Sequence, residues 1–198
     1  SWGHINAFSF FPTKNLGGFG DAGLVTTNDV VLAGKARCIR VHGSPVRYEH
    51  IYLGGNFRID TLQAALLDLK LPYLEKAIHM RRENAAIYHD RLKGFSNYIV
   101  LPQEKWGRFH TWNQFTVRVL NGRREELKTY LEEHGVGCGV YYPKPLDLQP
   151  CLQKVSTDKG YPLHISHKLA YEVLSLPIFP GLTCQQIAYV CSCIDRKS

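Results

Sequence analysis

The chain has no apolar run near the ~18 consecutive residues that a membrane-spanning helix requires, so no bilayer-crossing helix is expected. Its opening, SWGHINAFSF, lacks the charged start and the small-residue cleavage site of a secretory leader. No C-x-x-C pair occurs among Cys38, Cys138, Cys151, Cys184, Cys191 and Cys193, so neither a zinc site nor a disulfide framework is suggested, and the thiols are expected to be reduced. A P-loop is missing too: it needs glycines ahead of a Lys-Ser or Lys-Thr pair, and here the glycines follow the lysine. Repeats and low-complexity tracts are also absent. Acidic side chains are the minority, 17 against 24 Lys and Arg, which leaves a net charge of +7. The basic residues are dispersed, so a small anionic ligand fits them better than nucleic acid, which calls for a concentrated patch. With 44% apolar residues in 198, the chain can bury the core of one domain or two small ones. A cytoplasmic globular protein is expected, with neither nucleic acid nor a membrane as partner.

What is present is concentrated first in AFSFFPTKNLGGFGDAG, Ala7 to Gly23. INAFSF is short, apolar and aromatic, and GLVTT is rich in β-branched residues, so the motif reads as strand, loop, strand with Lys14 in the loop. A lysine there has three uses: a solvated charge, a phosphate contact, or covalent attachment of a carbonyl cofactor. Aromatic neighbours such as Phe10 and Phe11 can desolvate an ammonium and favour a nucleophilic amine. Gly17, Gly18, Gly20 and Gly23 let backbone approach a ligand closely, or shape a tight turn. The motif by itself leaves these alternatives open.

Farther along, Asn28 or Asp29 can cap a helix over VVLAGKARCIRV, followed by a loop rich in Gly, Tyr and His that runs to Arg58. From Asp60 to Gly94 the composition is helical, with Leu62, Ala65, Leu66 and Leu69 as its apolar face and Pro72 dividing it. WNQFTVRV alternates like a half-buried strand, REELKTYLEEHG reads as a helix and VGCGVYY as another strand. Helices are expected near Ser166 to Leu174 and Thr183 to Ile194. This order predicts an α/β part up to the long helix and a compact α+β part after it. The first part has few strands for a doubly wound sheet, and the chain opens on Ser1 rather than methionine. Upstream sequence is therefore expected.

Four segments in order and spacing, SFFPTKNLGGFGDAG, GGNFRIDTLQAA, GVGCGVYYPKPLDLQPC and EVLSLPIFPGLT, resemble the DegT/DnrJ-type (StrS-like) sugar aminotransferases. The resemblance implies an α/β fold of the type I PLP-dependent transferase class. Residues 1–72 would be the C-terminal part of the large, cofactor-binding domain, incomplete here, and residues 73–198 the small α+β domain. By the same resemblance Lys14 holds pyridoxal 5′-phosphate as a Schiff base and then moves protons, and Ser9 bonds the cofactor phosphate. Asn56 reaches the phosphate in the neighbouring subunit, which implies a homodimer with shared sites. His42, Tyr48, Arg58, His110, Tyr141 and Tyr142 lie in stretches similar to the family's active-site loops and are candidate substrate contacts. The implied substrates are a nucleotide-linked ketosugar and glutamate or glutamine as amino donor. Two departures stand out: Asp147 where the family more usually has histidine, and His167 where an acidic residue is expected. Two other classes remain open, a truncated partner or regulator that retains the dimer surface, and a nucleotide-binding module without covalent chemistry.

Overall fold

The apolar segments flanking Lys14 pair with each other. The computed structural model describes residues 3–152 and 163–198. In it β1 (Asn6–Ser9) and β2 (Gly23–Thr26) run antiparallel, with Asn6 opposite Thr26 and Ser9 opposite Gly23. They form a two-stranded sheet on which Phe8, Leu24 and Val25 remain about half exposed. Asp29, rather than Asn28, caps α1 (Val30–Arg40), accepting from the amides of Val31 at 2.8 Å and Leu32 at 3.1 Å. Such a cap satisfies amide groups that the first helical turn leaves unpaired.

The Gly-, Tyr- and His-rich loop after α1 is laced back onto the helix end. His42 N–H donates to Gly55 O at 2.9 Å, Gly55 N–H to Ile39 O at 3.1 Å and Phe57 N–H to Arg40 O at 3.0 Å. Gly43, at φ +72°, sits where a Cβ would stand 1.7 Å from the Tyr52 carbonyl oxygen. Only glycine fits there.

The long helical stretch is divided as Pro72 predicts, into α2 (Thr61–Lys70), a 3₁₀ turn (Leu71–Tyr73) and α3 (Leu74–Leu92). Of the expected apolar face of α2, Leu62 and Leu69 are 73% and 70% exposed within this chain, Ala65 is exposed, and Leu66 is half-buried. The face that packs in this part of the chain carries Gln63, Leu67 and Lys70, spaced i, i+4, i+7. Two polar groups there contact the glycine loop, contacts that apolar periodicity does not register.

The chain divides into two compact units, Ser1–Glu75 and Lys76–Ser198. The second is built on an antiparallel sheet of β3 (Ile99–Val100), β4 (Phe115–Val119) and β5 (Val173–Leu176), with β4 in the middle. Phe115, Val117 and Val119 alternate inward along β4 and are fully buried. They join Tyr88 and Leu92 of α3, Leu127 and Leu131 of α4 (Arg124–Glu133), and Ile187 and Ile194 of α6 (Cys184–Asp195) in one core. Tyr88 stacks on Phe115 with centroids 4.8 Å apart, and its hydroxyl donates to Pro177 O at 2.9 Å. Burial pushes its phenol well above the ordinary range. The Arg81 guanidinium, buried on the same helix, donates to the carbonyls of Trp112, Asn113 and Ile178. Thr183 and Gln186 form a reciprocal capping box at the start of α6.

Two expectations are corrected. The helix placed near Ser166 to Leu174 is α5 (His164–Glu172), and Leu174 belongs to β5. VLSL is paired residue for residue with β4, Phe115 opposite Leu176, and that pairing outweighs any local helical preference. VGCGVYY is not a strand: only Gly139 pairs, exchanging hydrogen bonds with Ser175 at 2.7 and 3.1 Å. Two glycines before Val140 and two prolines after Tyr142 deprive the segment of the side chains and amides a ladder requires. The short β3 was not anticipated. All six thiols are free, and burial raises that of Cys191 to about 11.

The 104–110 turn is held by one carboxylate. Glu104 receives two bonds from Arg82, at 2.7 and 2.9 Å, and one from the His110 amide at 2.7 Å. The Arg82 bonds, then the His110 amide, hold its carboxyl at about 2. A depressed carboxylate stabilises the fold above its unfolded value of ~4.3 and loses that contribution as pH falls towards 2. The urea midpoint of the wild type should therefore exceed that of Glu104→Gln above pH 5, and the gap should close between about pH 4 and 2. A gap that is constant with pH would show that the carboxylate's charge does not matter.

Candidate cofactor-lysine site

Lys14 sits in the connection between β1 and β2, and backbone bonds define its turn. Lys14 N–H donates to Phe11 O at 2.9 Å, Phe10 N–H to Ala22 O at 2.8 Å and Gly18 N–H to Phe10 O at 2.8 Å. The turn is tight enough that a Cβ on Gly17 would stand 2.4 Å from Pro12 O. That answers why glycines crowd behind the lysine: backbone passes where side chains cannot. Within its own unit the amine is exposed, so Phe10 and Phe11 do not enclose it as the sequence suggested.

Ser9 and Arg58 come together. They line a concavity of about 380 Å³ with Phe11, Asp21 and Phe57. Ser9 Oγ accepts from the Phe11 amide at 3.3 Å, which leaves its proton available to an acceptor in the concavity. Lys14 is not among the lining residues. Asn56 forms a β-bridge with Val41 beside His42, and both Asn56 and His42 are exposed. His42 and Tyr48 have positive φ, 59° and 73°, conformations that few side chains adopt without support. Tyr48 is 80% exposed, with the Arg47 guanidinium 4.8 Å above its ring.

The remaining candidates belong to the second unit. His110 is tied into the local frame: its Nδ1 accepts from the Trp112 amide at 3.0 Å and its ring lies 4.0 Å from that of Trp112. The bond to Nδ1 places the ring proton of a neutral imidazole on Nε2. Tyr141 and Tyr142 meet edge to face at 5.9 Å and line a cleft of about 760 Å³ with Leu146, Asp147 and Leu169. The two departures noted in the sequence are partners there. His167 Nε2 and Asp147 Oδ2 are 2.6 Å apart, joining the 3₁₀ turn Leu146–Leu148 to α5. The two residues that depart from the pattern expected of the family are thus hydrogen-bonded to each other. Among the described residues no three His, Cys, Asp or Glu side chains gather as a metal site, and no helix is long and apolar enough to cross a membrane.

A model of the DegT/DnrJ/EryC1/StrS aminotransferase family matches residues 1–195. The chain belongs to that family. It is 45% identical over 95% of its length to a "pleiotropic regulatory protein" of Geobacillus stearothermophilus, covering 50% of it. It is 40% identical, again over 95% of its length, to the UDP-2-acetamido-2-deoxy-3-oxo-D-glucuronate aminotransferase of Pseudomonas aeruginosa, covering 50% of that protein. Its structure is similar to the crystal structure of DesV from S. venezuelae in complex with a ketimine intermediate. The TM-score is 0.88 at 37% identity, over 98% of this chain and 52% of DesV. The chain thus spans about half the length of the curated relatives it matches, and it carries part of a type I transferase fold. DegT-family aminotransferases depend on pyridoxal 5′-phosphate. The donor types suit such a group: Ser9 and Arg58 line one concavity, and Lys14 stands outside it on the β1–β2 connection.

Gln63 and Asp21 were not singled out in the sequence. Gln63 reaches the loop across 44 residues to bond Phe19, a distance no local pattern reports. For the bonded pair, Asp147→His and His167→Asp should each lower stability, by up to ~1 kcal/mol for a partly exposed pair. The double variant should recover most of the loss, read from urea unfolding as a double-mutant cycle. Simple additivity of the two losses would show that the partners are not coupled.

Proposed function

We propose that this chain forms the lysine-bearing part of the large domain, residues 1–72, and the small domain, residues 73–198, of a pyridoxal 5′-phosphate-dependent aminotransferase. The enzyme moves an amino group from glutamate or glutamine to a ketone of a nucleotide-linked sugar. The observation that carries the reading is Lys14 on the glycine-shaped β1–β2 connection, with Ser9 and Arg58 facing one concavity beside it, in a chain of this family. The sugar class follows relatives such as the P. aeruginosa aminotransferase. The net charge of +7 suits an anionic diphosphate ligand.

Bound here, the cofactor supplies an aldehyde for the lysine and a ring that accepts electrons. Lys14 Nζ would hold it and, as a free amine, would take the proton from the donor's α-carbon and deliver one to the sugar carbon. Ser9 Oγ donates to a phosphate oxygen while still accepting from Phe11, and Arg58 adds positive charge to the same concavity. Asn56 reaches the phosphate held by the partner subunit, so the enzyme works as a homodimer with shared sites. His42 and Tyr48 lie on the Asn56 loop, and their positive φ angles are consistent with contacts made beyond their own unit. His110, Tyr141 and Tyr142 would meet the substrate from the small domain. The enzyme is read as cytoplasmic.

One observation favours a second reading, a regulator or partner without catalysis: the relative at 45% identity carries a regulatory name. The two readings separate on one residue. Borohydride reduction of the full-length protein with cofactor, followed by peptide mapping, should label Lys14, and Lys14→Ala should abolish turnover while the protein still folds, because an exposed loop amine contributes little to the core. Label on another lysine overturns the site. A folded, unlabelled protein without turnover favours the regulator.

Sharing of sites is tested separately. Lys14→Ala and Asn56→Ala subunits are each inactive, but a mixed dimer carries both defects in one site and none in the other. Mixing them should recover activity, up to about a quarter of wild type for random exchange. No recovery above either parent, with exchange shown by mass, argues against shared sites.

A further inference from the structure

Gln63 is the third residue of α2 and Lys70 the last. Seven residues apart, they lie on one face of the helix, about two turns or ~10 Å from each other. Both reach the glycine loop that follows Lys14. Gln63 Oε1 accepts from the Phe19 amide at 2.9 Å, and Lys70 Nζ donates to Gly17 O while lying 5.9 Å from the centre of the Phe19 ring. The glycines are shaped to the glutamine: a Cβ on Gly18 would stand 2.9 Å from Gln63 Oε1, and one on Gly20 would stand 2.8 Å from Gln63 Nε2. Neither distance admits an atom without movement. Leu67, buried between the two polar residues on the same face, anchors the helix from which they reach.

We propose that Gln63, assisted by Lys70, is a positioning residue that clips the glycine loop to α2 and thereby sets where the Lys14 amine stands. This rests on reading Lys14 as the cofactor lysine. Gly17, Gly18 and Gly20 carry no side chains with which to anchor the loop, and Phe19 is 75% exposed. Backbone bonds close the lysine turn on the β1 side, through Gly18 N–H to Phe10 O. Gln63 and Lys70 add contacts from α2 at Phe19 and Gly17. Glycine-rich backbone has the most conformational freedom to lose, so releasing the clip widens the range of positions open to Lys14. A displacement of ~1 Å at a reacting group can cost about 100-fold in rate.

The test has two readouts in the full-length protein. Hydrogen exchange at the Phe19 amide, followed without cofactor, reports the clip alone. Gln63→Leu should speed that exchange at least tenfold and leave the β1–β2 ladder unchanged. With cofactor and substrates, the same variant should lower kcat at least tenfold, change KM less than twofold, and move the pH midpoint of the lysine-bound cofactor's visible absorbance. Gln63→Glu keeps an oxygen acceptor for Phe19 and should restore both protection and most of kcat. Should Gln63→Leu fail to fold, Gln63→Asn, one methylene too short to reach, should give the same losses. Wild-type exchange at Phe19 in a folded Leu or Asn variant overturns the clip. Fast exchange with unchanged kcat and midpoint overturns its role in positioning. Failure of the cofactor reading is distinct, because borohydride would then label a lysine other than Lys14 while the Phe19 result stands.

Discussion

A Cβ at position 17 would stand 2.4 Å from the carbonyl oxygen of Pro12. That distance allows only glycine at the turn beneath Pro12. Because position 17 is glycine, the chain can turn under Pro12, bring Gly18 to Phe10, and return to pair Gly23 with Ser9. Lys14 thereby stands on a connection that backbone bonds close on itself. Without that turn the same connection would have more conformations open to it.

The second unit rests on a different kind of order. Its middle strand alternates Phe115, Val117 and Val119 into a core closed by α3, α4 and α6, and the buried Arg81 guanidinium ties three carbonyls from two segments, Trp112–Asn113 and Ile178, to α3. Burial lowers the basicity of that guanidinium, and its bonds to carbonyls offset the desolvation. Segments with no regular structure of their own, around Trp112 and Ile178, are thus tied to α3.

Asp147 and His167 lie side by side at 2.6 Å. Their bond joins the Leu146–Leu148 turn to α5, and Asp147 stands in the wall of the tyrosine-lined cleft. A reciprocal change costs little where a single one would leave an unmatched partner.

Local chemistry in the sequence determined much of this protein. It determined strands on either side of Lys14, the Asp29 cap, the division at Pro72, β4 by its alternation and α6 by Thr183. The order of four motifs determined the family. Tertiary structure alone decided which face of α2 packs, because Gln63 and Lys70 act through polar bonds to backbone 44 and 53 residues away, and a hydrophobic period cannot register a polar contact. It decided that VLSL pairs with β4 while VGCGVYY contributes one bridge, since strand pairing depends on the partner as well as on the segment. It also brought Ser9 beside Arg58, and Asp147 beside His167. Both meetings depend on chain reversals between residues far apart in sequence, where closure of the fold and not local preference sets the distance.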